Sequence, residues 1–250
     1  MSNSNPFELA KEDAADKAKK PLTHVYGKGK GHRCITDAIG FKTPGNNPPA
    51  KLKVDTHAGF VPLWAEDLTL RWRFNERSMQ AFANPDVAKE EMRNLFGEAL
   101  LGWGNAAPVK FTEKRDAVDF EIVFTGKDDC DGTGCVLASA FFPDGGRHKF
   151  FVYPKMFQQV RKEQVETFEH ETGHIFGLRH WFANISESDW SSTVFGKDGK
   201  FTIMNYGGDS RLTKADKSDL AKLYKLIWSG QLTNVNGTPI RLFKPYSSHL

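Results

Sequence analysis

The sequence lacks any long apolar stretch. No run of residues approaches the ~20 apolar positions that a membrane-spanning helix needs, and residues 1–20 are polar and charged. This opening stretch therefore also lacks the apolar segment of a secretory signal. An excess of one charge is missing too, because 34 basic residues stand against 31 acidic ones and no long Lys/Arg run occurs. We expect neither a membrane span nor nucleic acid as a partner.

Cysteine is scarce, with three residues in a chain of 250. Cys130 and Cys135 flank an Asp-Gly-Thr-Gly turn. They could form a short-loop disulfide in an oxidising compartment or remain two reduced thiols at the surface, because sequence does not supply the geometry that decides. Pairing them would leave Cys34 as an odd thiol.

Residues 1–66 show little periodic apolar pattern, and residues 43–49 form a cluster of chain breakers, Thr-Pro-Gly-Asn-Asn-Pro-Pro. We predict an irregular N-terminal segment here, and a pro-segment is one role it could have.

Regular patterns follow this segment. Alternating apolar residues predict strands, and apolar residues three and four apart predict helices. The predicted strands cover residues 68–74, 118–124, 137–142 and 149–153, and the predicted helices cover 84–103, 158–176 and 213–229. Thr213 and Asp216, three residues apart, form a predicted capping pair at the start of the last helix. The tail from residue 231 to 250 is expected to be extended or irregular. This order of elements predicts an α/β (α+β) domain in which a twisted, mixed sheet packs against two long helices.

A motif typical of a metal site occupies residues 170–180, which read His-Glu-Thr-Gly-His-Ile-Phe-Gly-Leu-Arg-His. His170 and His174 are four apart, so they share one face of a helix and can both reach one Zn²⁺. Glu171 lies beside the metal rather than on it, which suits a base acting on water. Gly177 allows a sharp turn that brings His180 back as a third ligand. Three protein ligands leave one coordination position open, as in catalytic zinc sites.

The motif resembles the signature of the metzincin metalloproteases, and Met204 within residues 201–207 matches their methionine turn. Residues 66–228 look most like the matrixin branch. The resemblance implies a catalytic domain over residues 67–250, with the active-site helix at a cleft and a small C-terminal subdomain containing a helix. It also implies one catalytic Zn²⁺, a base of hydrophobic packing at Met204, a secreted location and a monomer. Calcium is a further cation that the protein could bind.

Three positions depart from the matrixin pattern. Ser139 stands where matrixins carry a histidine ligand of a second, structural zinc, and only His148 is nearby, which argues against that zinc. Trp181 after the third histidine matches none of the common branches. Tyr206, two residues after the turn methionine, resembles the astacin and serralysin branches, where such a tyrosine can join the metal.

The stretch Arg33-Cys34-Ile-Thr-Asp37 resembles the matrixin pro-segment motif, whose cysteine sulfur occupies the open zinc position and keeps the enzyme latent. It departs from that motif at His32, which replaces a proline, and at Asp37, which is one residue closer to the cysteine. A free thiol in a loose tail is the alternative for Cys34.

These observations predict a zinc-dependent endopeptidase in which Glu171 is the general base. Tyr206 either stabilises the oxyanion or is a packed aromatic beside the turn. The expected substrate is an extended strand of a protein or peptide that pairs with the sheet edge near residues 137–142. Two alternatives are a catalytically silent metal-binding module and a dedicated toxin or effector protease that acts on one host protein.

Overall fold

A computed structural model describes residues 5–10, 31–36, 59–131, 134–180, 202–204, 210–235 and 238–250. Within these ranges the strands are β1 (Gly31–Arg33), β2 (Val61–Trp64), β3 (Leu68–Phe74), β4 (Val109–Glu113), β5 (Phe120–Phe124), β6 (Cys130–Asp131), β7 (Gly134–Val136), β8 (Ala138–Ser139), β9 (His148–Val152), β10 (Asn234–Val235) and β11 (Thr238–Phe243). The α-helices are α1 (Glu76–Met79), α2 (Pro85–Trp103), α3 (Arg161–Ile175) and α4 (Lys214–Trp228).

The main sheet has five strands in the order β4-β3-β5-β9-β8. The first four run parallel, and β8 lies antiparallel to β9 at one edge. The long helices α2 and α3 pack against each other. The apolar positions of α2 recur at spacings of three and four and are buried, as in an amphipathic helix that covers a core. The predicted fold class, a mixed sheet packed on two long helices, is confirmed.

Three predicted elements are shorter than their patterns suggested. Of residues 137–142, only Ala138–Ser139 pair in the sheet, and Phe141 and Phe142 are buried beyond the strand. The strand predicted over residues 118–124 begins at Phe120. Helix α3 begins at Arg161 because Pro154–Gln158 form a separate 3₁₀ turn. In each case the apolar residues continue beyond the helix or strand. Apolar residues mark buried positions, and a position can be buried without belonging to a hydrogen-bonded strand or helix.

Two short strands lie within the segment predicted to be irregular. β1 pairs in parallel with β7, and β2 pairs in parallel with β11 of the C-terminal tail. Phe7 also joins the core and stacks on Phe157, with ring centroids 3.9 Å apart. Short strands whose partners are distant in the chain leave no periodic pattern in the sequence. The domain boundary at residue 66 stays a prediction.

Cys130 and Cys135 form a disulfide across the β6–β7 hairpin. The two cysteines face each other in the antiparallel register, and their Cα atoms are 4.0 Å apart. Of the two states that the sequence left open for this pair, the structure contains the disulfide, and Cys34 is not part of it.

None of the described helices combines the length and apolar character needed to cross a bilayer.

Asp119 ties the C-terminal tail to the main sheet. Its carboxylate is buried and accepts hydrogen bonds from the Arg71 amide (2.7 Å), the Ser247 amide (2.6 Å) and the Ser247 hydroxyl (2.9 Å). We expect Asp119→Ala to lower the free energy of unfolding by about 3 kcal/mol, because buried donors lose a charged acceptor. Ser247→Ala, which removes only the hydroxyl bond, should cost about 1 kcal/mol. Chemical denaturation of the two variants measures both values, and equal losses would contradict the assignment.

Candidate metal centre and catalytic cleft

Helix α3 places His170 and His174 one turn apart on the same face, with both side chains fully buried. The Nδ1 atom of His170 lies 2.7 Å from the Ile203 carbonyl oxygen, and Nδ1 of His174 lies 2.8 Å from the Leu178 carbonyl oxygen. Because a carbonyl oxygen only accepts, each Nδ1 must donate its proton. The Nε2 atom of each ring therefore keeps a lone pair for a metal.

The chain leaves α3 through a glycine turn. Gly177 has φ +87°, its amide donates to the His174 carbonyl, and the Leu178 amide donates to the Gly173 carbonyl. The turn brings His180 back over the helix, where its Nε2 atom lies 3.0 Å from Nε2 of His170. The three imidazoles thus converge on one point, as the spacing of the motif predicted.

Side chains from β2 and α4 satisfy the carbonyls at the end of α3. The indole nitrogen of Trp64 donates to the Ile175 carbonyl (2.6 Å), and the hydroxyl of Tyr224 donates to the Phe176 carbonyl (2.8 Å). Trp228 donates in turn to the backbone carbonyl of Trp64 (3.0 Å). Because the last carbonyls of a helix have no partner inside the helix, these bonds hold the turn that positions His180.

The Gly177 turn allows a direct test. A Cβ atom at Gly177 would lie 2.5 Å from Leu63 Cδ2 and 2.9 Å from the Pro62 carbonyl oxygen. We expect Gly177→Ala to lower the free energy of unfolding by about 2 kcal/mol or more, since the left-handed conformation adds to this clash. Zinc affinity should fall with it, because His180 follows the turn. Calorimetry and metal titration measure the two effects.

Gly97→Ala is the matched control for this substitution. Gly97 lies inside α2, and its added Cβ would meet no atom within 4 Å. This variant should be more stable than the parent by about 0.5–1 kcal/mol, the helix preference of alanine over glycine. Unchanged stability and zinc binding in Gly177→Ala would contradict a structural requirement for glycine at the turn.

Met204 packs under the histidine helix. Its side chain is fully buried, and its sulfur lies 2.5 Å from where a Cβ of Gly173 would stand, so the methionine turn contacts α3 directly. The adjacent Ile203 supplies the carbonyl that His170 binds. The predicted packing role of Met204 stays a proposal from the family resemblance, and these contacts support it.

Asp216 anchors the methionine turn to α4. It forms the predicted capping box with Thr213, and its carboxylate also accepts from the amide (2.5 Å) and the hydroxyl (2.6 Å) of Thr202. Desolvation by burial raises the pKa of this carboxyl above its ordinary value. The sequence indicated only the cap, because the link to Thr202 depends on the tertiary fold.

The two carboxylates beside His170 have different surroundings. Glu171 is fully buried and lies within reach of Cys34, whose Sγ is 3.4 Å from its Oε1. Glu169 instead lies against Gly102 of α2, where burial and the charge of Glu166 raise its pKa to about 7. Of these two carboxylates, Glu171 is the one that lies beside the metal-ligand group, and its role as a base stays a prediction.

Cys34 of the N-terminal segment joins the cluster. Its Sγ atom lies 3.3 Å from Nε2 of His174. Among the described residues, Cys34, His170, His174 and His180 form a group whose ligand atoms all lie within 4.8 Å of one another. Three imidazole nitrogens and one thiol sulfur are donors that zinc accepts in tetrahedral geometry, so this set fits a zinc ion.

Arg33, next to Cys34, binds the disulfide hairpin. Its guanidinium nitrogens lie 3.0 Å from Asp129 and 2.9 Å from Asp131. β1 therefore holds to β7 by main-chain pairing and by ion pairs at the same place. Asp37, Trp181 and Tyr206 lie outside the described residues.

The metzincin class of metalloproteases is defined by four features together. They are a helix with His-Glu-x-x-His, a glycine turn, a third histidine and a methionine turn. The chain belongs to the matrixin family, because the model of that family, peptidase M10, matches residues 63–192. The resemblance of the motif to the metzincins, and of the chain to their matrixin branch, is thus confirmed.

Similarity to individual relatives is moderate. Stromelysin-3 from Homo sapiens is 30% identical over 124 residues, which are 44% of this chain and 25% of stromelysin-3. Serralysin from Photorhabdus sp. (strain Az29) is 28% identical over 149 residues, 54% of this chain and 30% of that relative. The solved structure of myroilysin aligns with a TM-score of 0.40 at 15% identity, over 65% of this chain and 95% of myroilysin. The chain spans about a quarter of the length of stromelysin-3.

Proposed function

We propose that the chain is a zinc-dependent endopeptidase that hydrolyses peptide bonds in proteins. The observation that carries this proposal is the buried group of His170, His174, His180 and Cys34, whose ligand atoms lie within 4.8 Å of one another, with Glu171 beside it. Metal ligands and an acceptor carboxylate at one place are what metal-assisted hydrolysis requires. Membership of a peptidase family supports the same reaction.

In the proposed mechanism, His170, His174 and His180 hold the zinc. Zinc, when bound, lowers the pKa of a water molecule and polarises the scissile carbonyl. Glu171 accepts the proton of the attacking water and passes it to the leaving amine. Tyr206 would stabilise the oxyanion or serve as a further ligand of the zinc, and a packed aromatic without either role is the alternative.

The substrate is an extended strand of a protein or peptide. The sheet edge near residues 137–142 is the place for it, because a sheet edge pairs with an added strand through main-chain hydrogen bonds. β1 pairs with β7, which directly precedes these residues. By family resemblance we propose a secreted monomer.

Residues 1–66 act as a pro-segment in this proposal, and Cys34 acts as the latency ligand. A thiolate binds zinc well, and the metal lowers the pKa of the thiol. The position of the sulfur 3.3 Å from His174, the pairing of β1 with β7 and the ion pairs of Arg33 support this role. A sulfur in the open position excludes water and substrate.

Metal analysis combined with protein digestion tests the proposal. We expect purified protein to contain one equivalent of zinc per chain, since the buried Ser139 stands in place of a ligand for a second. The same analysis measures calcium. The Cys34→Ala variant should digest casein or gelatin, and a chelator should abolish that digestion. Zinc without digestion would favour a catalytically silent module, and cleavage of one host protein alone would favour a dedicated effector.

A further inference from the structure

A single hydroxyl group of the N-terminal segment contacts two parts of the cleft. Thr36 is 1% exposed. Its Oγ1 atom lies 2.7 Å from Oε2 of Glu171 and 2.9 Å from the amide nitrogen of Ala140, next to β8. It lies two residues after Cys34, so the sulfur and the hydroxyl reach the same cleft from one short stretch of chain.

The direction of these two hydrogen bonds follows from their chemistry. A backbone amide only donates, so the Thr36 oxygen must accept the bond from Ala140. The hydroxyl has one proton, and that proton is directed at the Glu171 carboxylate. Thr36 is buried, and its hydroxyl is bonded to both the Ala140 amide and the Glu171 carboxylate. Removing the hydroxyl would therefore take this partner away from a buried donor and a buried acceptor.

Each of the two contacted groups has a task in the proposed function. Glu171 must accept a proton from water, but its Oε2 atom already accepts the hydrogen bond from the Thr36 hydroxyl. The Ala140 amide lies on the edge where a substrate strand would offer its backbone carbonyls. The Thr36 hydroxyl therefore occupies two positions. At the Glu171 carboxylate it takes the place of the water, and at the Ala140 amide it takes the place of a substrate carbonyl.

The register of the segment makes these contacts part of one docking mode. β1 runs parallel to β7, with Gly31 opposite Gly134 and Arg33 opposite Val136. Continuing in the same direction, the chain brings Thr36 to Ala140. The described stretch 31–36 thus follows the edge over residues 134–140, and Thr36 is its far anchor.

We propose that Thr36 is a second latch of the latent state, independent of the Cys34 sulfur. Its hydroxyl holds the Glu171 carboxylate and occupies the Ala140 amide, so it still slows access to the base and to the edge strand, by roughly tenfold, after the sulfur is removed. This inference rests on the proposed function. It assigns part of the latency to a hydrogen bond, which the motif around Cys34 does not indicate.

Amide hydrogen exchange in the full-length protein as purified tests the contact without any assay of activity. Thr36→Val, which keeps the shape and removes the hydroxyl, should raise the exchange rate of the Ala140 amide by roughly tenfold, as loss of one buried hydrogen bond implies. Thr36→Ser, which keeps the hydroxyl, should exchange like the parent. The Ile122 amide in the central strand β5 should be unchanged in both, and Thr36→Ala replaces the valine variant if that one does not fold.

Peptide hydrolysis tests the latch itself. Adding Thr36→Val to Cys34→Ala should raise kcat/KM by roughly tenfold over Cys34→Ala alone, again the factor for one hydrogen bond. Adding Thr36→Ser should leave it unchanged.

An unchanged Ala140 exchange rate in Thr36→Val would overturn the proposal, as would equal activities of Cys34→Ala with and without Thr36→Val. If every variant is inactive, the proposed endopeptidase function fails, and the exchange rates alone then decide whether Thr36 holds the edge strand.

Discussion

In the Cys34→Ala background, Glu171→Ala is expected to lower kcat for peptide hydrolysis by about 10²–10⁴-fold, the range for loss of a general base. Zinc content should remain that of the parent, because the metal group consists of Cys34 and three histidines and does not include Glu171. The physical reason is that a base acts on water and does not hold the metal. Steady-state kinetics and metal analysis of the same preparation measure the two quantities.

Glu169→Gln is the matched control. It removes a carboxylate from the same helix, two residues away, but that carboxylate lies against Gly102 of α2. We expect its kcat to stay within about twofold of the parent, since the change does not reach the histidine cluster. Near-normal turnover in Glu171→Ala would remove this residue from the mechanism.

His174→Ala should differ from Glu171→Ala in its zinc content. Its Nε2 atom faces the cluster while Nδ1 donates to Leu178, so its loss removes a ligand rather than a base. We expect zinc to be lost together with activity, because two remaining histidines hold the metal less well. Zinc retained at full occupancy would show that the ligand assignment is wrong.

Cys34→Ala is expected to raise the activity of the full-length chain by on the order of 100-fold. A tethered sulfur competes for the open coordination position at a high effective concentration, and alanine does not. The sulfur lies 3.3 Å from His174 in the present structure. Hydrolysis of a peptide substrate by the two proteins, at equal zinc content, measures the effect.

Thiol-modifying reagents should activate the wild-type chain for the same reason, and they should not affect Cys34→Ala. Cys130 and Cys135 are joined in a disulfide and do not compete for the reagent. A wild-type chain already as active as Cys34→Ala would exclude the thiol as a switch. The N-terminal segment would then contribute only packing, as Phe7 and β2 do within the core.

The local parts of the fold could be predicted from the sequence. The amphipathic pattern of α2 and the Thr213–Asp216 capping pair of α4 have structural counterparts close to the predicted positions. These features depend on residues three or four apart, which one turn of helix brings together. The pairing of β2 with β11 could not be predicted, because parallel strands that are distant in the chain share no local pattern.

The candidate site divides in the same way. The spacing of His170, His174 and Gly177 indicated two imidazoles on one helical face and a turn after them, and the structure has this geometry. The roles of these residues, and of Glu171 and Cys34, stay predictions until the variants are measured. The contact of Thr36 with Glu171 had no signal in the sequence, since a threonine two residues after a cysteine is typical of no site.

By itself, the sequence determined the family and the local geometry of the metal motif, because both reside in residues a few positions apart. Only the tertiary structure decided what lies against that motif. It paired residues 31–33 with residues 134–136, closed the Cys130–Cys135 disulfide, and brought the Cys34 sulfur and the Thr36 hydroxyl to the histidine helix. Apart from the disulfide, these contacts join residues more than a hundred positions apart, and the folding of the whole core, rather than any local preference, holds them together.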